Sequence, residues 1–243
     1  MTLAFCCNNY QGDEQMIIKK TIEGDLEYIS KSYNKNPKII EIKDDRGLPL
    51  PHLASEHGRA NILEFFLDEG FSAGLTDEEG LSPLFLAKTA EIADLLLRHG
   101  ANVNARDSQG NTPLHFSVMN GNIDVTQYLI DNGANVNAAM DDGPTFLENG
   151  WTPLHIAAVK GNTQLLNILI ENGSNINSTG TFNDTPLHAA VAKNNVNCVH
   201  ILLERGADRT IKMHNGKSAE DIAKEKDNLE ALRLLNIFGW KDQ

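Results

Sequence analysis

The sequence predicts an all-α solenoid: stacked helix–turn–helix units, each ending in an extended polar loop, or finger. Three observations predict it. The tetrapeptide Thr-Pro-Leu-His starts at residues 112, 152 and 185, with a variant Ser-Pro-Leu-Phe at 82, so successive starts lie 30, 40 and 33 residues apart. A second motif follows each copy in constant phase: LLLRHGANVN at 95–104, YLIDNGANVN at 128–137, ILIENGSNIN at 168–177 and ILLERGADRT at 201–210. Aromatic residues make up only 6% of the chain, which leaves Leu, Ile, Val and Ala to build a core of thin helical layers. Self-similarity at this period marks units that bury one face each and need neighbours to bury it against.

Within a unit the elements follow from capping chemistry. Thr112 is a good N-cap, and Pro113 stands where a missing N–H costs nothing. A first helix runs to about Asn120, Gly121 supplies a turn, and a second helix runs from about Ile123 to Asn132. Gly133 can take the left-handed position after it. Along the chain this phasing gives a flexible tail over 1–12 and one repeat domain over 13–243. The domain comprises an N-terminal cap (13–43), five repeats (44–76, 77–106, 107–139, 140–179 and 180–212) and a C-terminal cap (213–243). In the last of these, GKSAEDIA at 216–223 sets charged residues where inner units carry Leu and His.

The pattern of Gly-x-Thr-Pro-Leu-His followed by Leu-Leu-x-x-Gly-Ala-Asn-Val-Asn closely resembles the ankyrin-repeat family, over roughly residues 13–238. The resemblance implies a curved stack whose first helices and fingers form a concave groove for a partner protein. It implies that His52, His115, His155 and His188, which share one repeat position, hydrogen-bond neighbouring loops. It also places partner-facing residues at the finger tips and the far ends of the first helices. These are Ser108, Gln109, Asn111, Met119 and Asn120 in the third repeat, Glu148, Trp151 and Lys160 in the fourth, and Phe182, Asp184 and Lys193 in the fifth. Extended-loop asparagines Asn104, Asn137 and Asn177 are expected to tie adjacent turns together.

Three departures from the period stand out. The fourth finger carries about seven extra residues within 139–149. This insertion is either a recognition element or a tolerated surface loop. It brings Phe146 close to Trp151 and Phe182, three aromatics on neighbouring fingers rimmed by Asp141, Asp142 and Glu148, which form either an apolar anchor in a charged rim or a set that packs the fingers together, with Trp151 covering the base of the enlarged one. The second repeat is short between Ala87 and Ile92, so either its first helix or the turn after it is shortened. Pro51 replaces the buried Leu of the motif in the first repeat, within the first helical turn, where it is tolerated.

Charge and composition narrow the function classes. A net charge of −12 disfavours nucleic acid and anionic membranes as partners. Cys6, Cys7 and Cys198 give neither a disulfide framework nor metal spacing, and Cys198 falls on an apolar register of a second helix. The equivalent histidines sit a repeat apart, too far to share one metal ion. No cofactor, metal or small-molecule site is expected, and no segment outside the repeats is long enough for a catalytic domain. The expected function is therefore binding another protein, one with a basic surface, as adaptor or inhibitor. The alternatives are a recognition or regulatory subunit of an enzyme, or an effector that an intracellular bacterium or virus delivers into a host cell. The 26 asparagines fit an AT-rich genome and so favour the effector reading. The expected compartment is the cytoplasm or nucleus.

Overall fold

The computed structural model describes residues 3–141 and 149–239. The chain, expected as one domain, divides into two compact units, Met1–Ala105 and Arg106–Gln243. Among the described residues every regular element is helical. Two isolated bridges, Lys43 with Pro49 and Lys212 with Ser218, close finger bases.

The first unit holds α1 (Leu3–Glu23), α2 (Leu26–Lys35), α3 (Leu50–Glu56), α4 (Ala60–Asp68) and α5 (Ala90–Arg98). The expected flexible tail is a correction: the chain is already helical from Leu3, so residues 3–12 are the first half of α1. The shortened second repeat keeps a single 3₁₀ turn, Pro83–Leu86, in place of a first helix. It is still tied to the preceding unit, because Ser55 Oγ donates to the Pro83 carbonyl at 2.6 Å and His52 Nε2 bonds the Leu81 carbonyl at 2.9 Å. Pro51 lies in the first turn of α3, buried, as the motif alignment predicts.

The second unit holds four helix pairs: α6 (Pro113–Met119) with α7 (Ile123–Asp131), α8 (Pro153–Lys160) with α9 (Thr163–Glu171), α10 (Pro186–Ala192) with α11 (Val196–Glu204), and α12 (Ala219–Glu225) with α13 (Leu229–Gly239). First helices pack in one row, α6 on α8 on α10 on α12, and second helices in another, α7 on α9 on α11 on α13. Leu114, Leu154 and Leu187, the Leu of each motif, have no exposed surface.

Each first helix starts on a capping box. Thr112, Thr152 and Thr185 are the N-caps, and the backbone N–H of each donates to Nδ1 of the His three residues on, at 3.0, 3.1 and 3.1 Å. The Thr side chain accepts from the backbone N–H of that His in return, so two backbone donors are satisfied reciprocally by two side chains. With Nδ1 accepting, Nε2 carries the proton. In His115 it reaches the Trp151 carbonyl at 3.4 Å, and in His155 the Asp184 carbonyl at 3.2 Å. The conserved geometry of the box thus binds one unit to the next. In the last pair Ser218 and Asp221 make the same box with a carboxylate.

The fingers are joined as a ladder. Asp141 N donates to the Gln109 carbonyl at 3.0 Å, Thr181 N to Asn149 O at 2.8 Å, and His214 N to Phe182 O at 2.8 Å. Behind them two of the three loop asparagines tie adjacent turns: Asn137 Oδ1 accepts from Asn175 N at 2.7 Å, and Asn177 Oδ1 from Asp208 N at 2.8 Å.

Two outcomes follow from this packing. Leu114→Ala and Leu154→Ala should each cost about 2–5 kcal/mol in chemical denaturation, as other buried Leu truncations do. A loss under about 0.5 kcal/mol, the scale of surface changes, would contradict the packing. The second outcome concerns pH. Burial holds His115 and His155 down at about 4, so both stay neutral in the fold. In the unfolded chain they protonate near pH 6.5, so the unfolded state binds the extra protons between pH 6.5 and 4. Stability should be full above pH 6.5 and fall as pH drops through that window. Melting curves of His155→Gln should show a flatter decline there than the parent chain.

Candidate functional site

The first-helix face of the second unit carries an open groove of about 410 Å³. Val159 and Ala192 stand at the far ends of α8 and α10. Ala189 and Ile222 line it from α10 and α12, and Phe182 and Met213 reach it from two fingers. Lys193 and Lys226 rim it, and Trp151, Asp184 and His188 lie at its base. The lining is mainly aliphatic and aromatic, because the outward ends of these helices carry small residues that leave room between the larger ones.

The base is tightly built. Trp151 keeps only 9% of its surface and stacks on His155, with ring centroids 5.7 Å apart and planes at 13°. Its Nε1–H donates to Asp184 Oδ2 at 2.6 Å. Asp184 is itself buried, and a Cβ on Gly180 would come within 2.7 Å of its Oδ1 and 2.9 Å of Trp151 Cδ1. Among the described residues, Asp184 Oδ1 and His188 Nε2 find no hydrogen-bond partner. Burial lowers the pKa of His188, and the nearby Asp184 carboxylate opposes that shift.

The predicted partner-facing residues divide accordingly. Ser108 and Gln109 are exposed at the third finger tip, and Asn120, Lys160 and Lys193 are exposed at first-helix ends. Met119 and Phe182 are half-buried. Asn111, Trp151 and Asp184 are corrections: all three are buried, at 2%, 9% and 5% exposure. Each directly follows the finger residue with positive φ, Gly110, Gly150 or Asn183, and that backbone reversal turns the next side chain under the finger. The signal was present in the sequence, since Leu48 and Leu81 occupy the same register in the first two repeats and are buried there.

Asp141 is exposed but engaged within the chain, with Arg106 at 2.9 Å, and Arg106 also donates to the Ala139 carbonyl at 2.7 Å. Asp142, Phe146 and Glu148 lie outside the described residues, so the expected aromatic trio reduces to buried Trp151 and groove-lining Phe182. Among the described residues the rim is lysine rather than the acid expected. At the enlarged finger, Met140 N donates to Trp151 O at 2.9 Å, the closing bond that Asp107 N makes to Asn111 O in an ordinary finger. The extra residues therefore enter inside the hairpin and leave its base intact.

Other chemistry is absorbed by structure. Cys198 is a buried free thiol that burial pushes up to about 11, so thiolate is scarce at neutral pH. Cys6 and Cys7 fall in α1, and their side chains are outside the described residues. Among the described residues no His, Cys, Asp and Glu group has the arrangement to hold a metal ion. None of the described helices is long and apolar enough to cross a membrane.

These contacts separate two aromatic side chains by role. Trp151→Ala should cost roughly 3–5 kcal/mol of stability, the range for large buried aromatics. Trp151→Phe should cost about 1–3 kcal/mol, because it strands the buried Asp184 carboxylate. Phe182→Ala should cost about 1 kcal/mol, in keeping with half burial. Urea denaturation of the three variants checks the order. Equal stability of Trp151→Ala and the parent chain would contradict the buried base.

Comparison with known proteins agrees with the geometry. The family profile for ankyrin repeats (3 copies) matches residues 51–140, 139–213 and 178–237. The chain is 35% identical over 120 residues to protein phosphatase 1 regulatory subunit 27 of Mus musculus, covering 46% of this chain and 78% of that protein. It is 31% identical over 126 residues to the ankyrin repeat protein nuc-2 of Neurospora crassa, covering 50% of this chain. It is 37% identical over 87 residues to the ankyrin repeat protein FPV024 of fowlpox virus, covering 34% of this chain. It spans only 12% and 15% of the lengths of those last two proteins. The ankyrin repeat domain of Bcl-3, an IκB-family member, superposes with a TM-score of 0.71 at 21% identity, over 89% of this chain and 97% of that one. Ankyrin repeats are protein–protein interaction modules and binding scaffolds. With the capping boxes, finger ladder and buried motif leucines in place, the chain belongs to the ankyrin-repeat family.

Proposed function

We propose that this chain binds a partner protein through the groove on the first-helix face of residues 151–226, and acts as an adaptor or inhibitor. The observation that carries this reading is an apolar groove of about 410 Å³ open beside charged side chains. Its base is preorganised by Trp151, His155 and Asp184, while Phe182 and Met213 stand at the opening. A rigid apolar floor with a charged border is the anatomy of a hot spot inside a polar rim. The similarity to a protein named as a phosphatase regulatory subunit favours a second reading, in which the captured partner is an enzyme and the chain regulates or recruits it. The similarity to a fowlpox virus protein keeps a host-directed role as a form of the same activity. In each form the work is done in the cytoplasm or nucleus, where Cys198 remains a free thiol.

A photo-crosslinking residue placed at Ala192 in the groove, and separately at Gln164 on the second-helix row, tests this. Crosslinks to one discrete protein should form from Ala192 and not from Gln164. Phe182→Ala should weaken capture of that protein by more than about 1 kcal/mol. Equal crosslinking from both positions would remove the groove from the proposal.

A further inference from the structure

The far end of the first helix carries a lysine in three consecutive repeats: Lys160 as the last residue of α8, Lys193 just after α10 and Lys226 just after α12, each 33 residues from the next. All three are exposed. Among the described residues no carboxylate lies within 4.0 Å of any of them. Asp227, next to Lys226, is exposed and lies more than 4.0 Å from its ammonium, and the next acids along the chain are engaged. Glu225 pairs with Lys217 at 2.7 Å, Glu220 with Lys224 at 2.7 Å, and Asp221 caps Ser218. Asp184, the carboxylate at the groove base, is buried against Trp151. A chain of net charge −12 therefore presents, along this one edge, an unneutralised row of positive charge.

The row has a spacing. Neighbouring first helices pack directly, so their equivalent residues step by about 8–10 Å. A peptide in the extended polyproline II conformation advances about 3.1 Å per residue with three residues per turn, so every third side chain falls on the same face about 9 Å further on. Lys193 and Lys226 also rim the apolar groove, with Phe182, Ala192 and Ile222 between them. One ligand can satisfy both features if it is extended, acidic at every third position and apolar once between two acids.

Resting on the reading of this face as a docking surface, we infer that the partner segment is an acidic, extended stretch of protein, its carboxylates spaced to meet Lys160, Lys193 and Lys226 and an apolar side chain seated in the groove. The apolar groove favours a peptide over a nucleic acid, whose phosphates would match the lysines but leave the groove unfilled. The basic-surfaced partner expected from Asp141, Asp142 and Glu148 does not match this rim.

Fluorescence anisotropy with the full chain tests the inference. The probe is a fluorescein-labelled Gly/Ser peptide with three glutamates at every third position and a leucine between the last two. It should bind, weaken with added salt, and weaken again when serine replaces the leucine. The double variant Lys193→Glu/Lys226→Glu should lose about tenfold in affinity, the scale of two reversed rim charges, with an unchanged melting temperature. Gln164→Glu/Asn197→Glu on the second-helix row should bind like the parent, which separates local from net charge. The inference is overturned if the lysine version of the peptide binds as well, if a single-stranded oligonucleotide of equal charge binds better, if the lysine reversals change nothing, or if no acidic peptide binds. If a neutral or basic apolar peptide binds and Phe182→Ala abolishes it, the groove stands as the docking face and only the acidic partner falls.

Discussion

The imidazole at the third helical position of each motif is the interaction on which the rest of the second unit depends. Nδ1 closes the amino end of its own helix, and in His115 and His155 Nε2 bonds a carbonyl of the following unit. One ring thus couples a local element, the cap, to the packing of one unit on the next. The coupling requires the neutral tautomer with its proton on Nε2, and burial enforces neutrality. The carbonyls that receive these bonds belong to Trp151 and Asp184, the residues under the fingers. Each histidine therefore sets the depth at which the next finger sits, and with it the floor of the groove. Asp221 forms the same box for α12 and, as a carboxylate, has no proton to pass on when ionised.

Trp151, Asp184 and Gly180 read as one compensated set. The first two repeats place Leu48 and Leu81 under their fingers, which need nothing from their neighbours beyond contact. An indole in the same position brings a buried N–H that must find an acceptor. Asp184, in the same register one unit on, supplies it. Its carboxylate and the indole edge then occupy the space where a side chain on residue 180 would stand, so glycine is the residue that fits there. In the third repeat that register holds Asp107, whose Oδ1 instead caps the finger by accepting from Gln109 N at 2.9 Å and Asn111 N at 2.8 Å. The fifth finger gives up that Asp cap and gains a polar bond between units.

Much of the fold was legible because the period over-determines it. The helices at 113–119 and 123–131 end within a residue or so of where capping and glycine placement put them. Side-chain direction at the finger base was less legible. A residue after a glycine in a polar loop reads as exposed, and only the Leu48 and Leu81 register argues otherwise. Several asparagines hold structural positions. Asn122 and Asn162 cap second helices, Asn183 and Asn194 adopt positive φ, and Asn195 and Asn228 donate to carbonyls of the preceding first helix. None of these roles has a periodic apolar signature. The start of α1 was missed because its residues carry no repeat motif.

The candidate site inherits its properties from these constraints. Its floor is held by buried hydrogen bonds between units, so it cannot adjust to a ligand without disturbing the stack. Its border is made of lysines at helix ends, whose side chains are long and free to move. Shape selection is therefore assigned to the floor and charge selection to the border, and the two can vary independently. The enlarged finger illustrates the same separation. Its entry, Asp141, bonds the third finger, and its exit, Asn149, bonds the fifth, so the ladder continues across the insertion. Residues can be added inside a hairpin whose base is closed, whereas the closing position itself admits only side chains that can be buried.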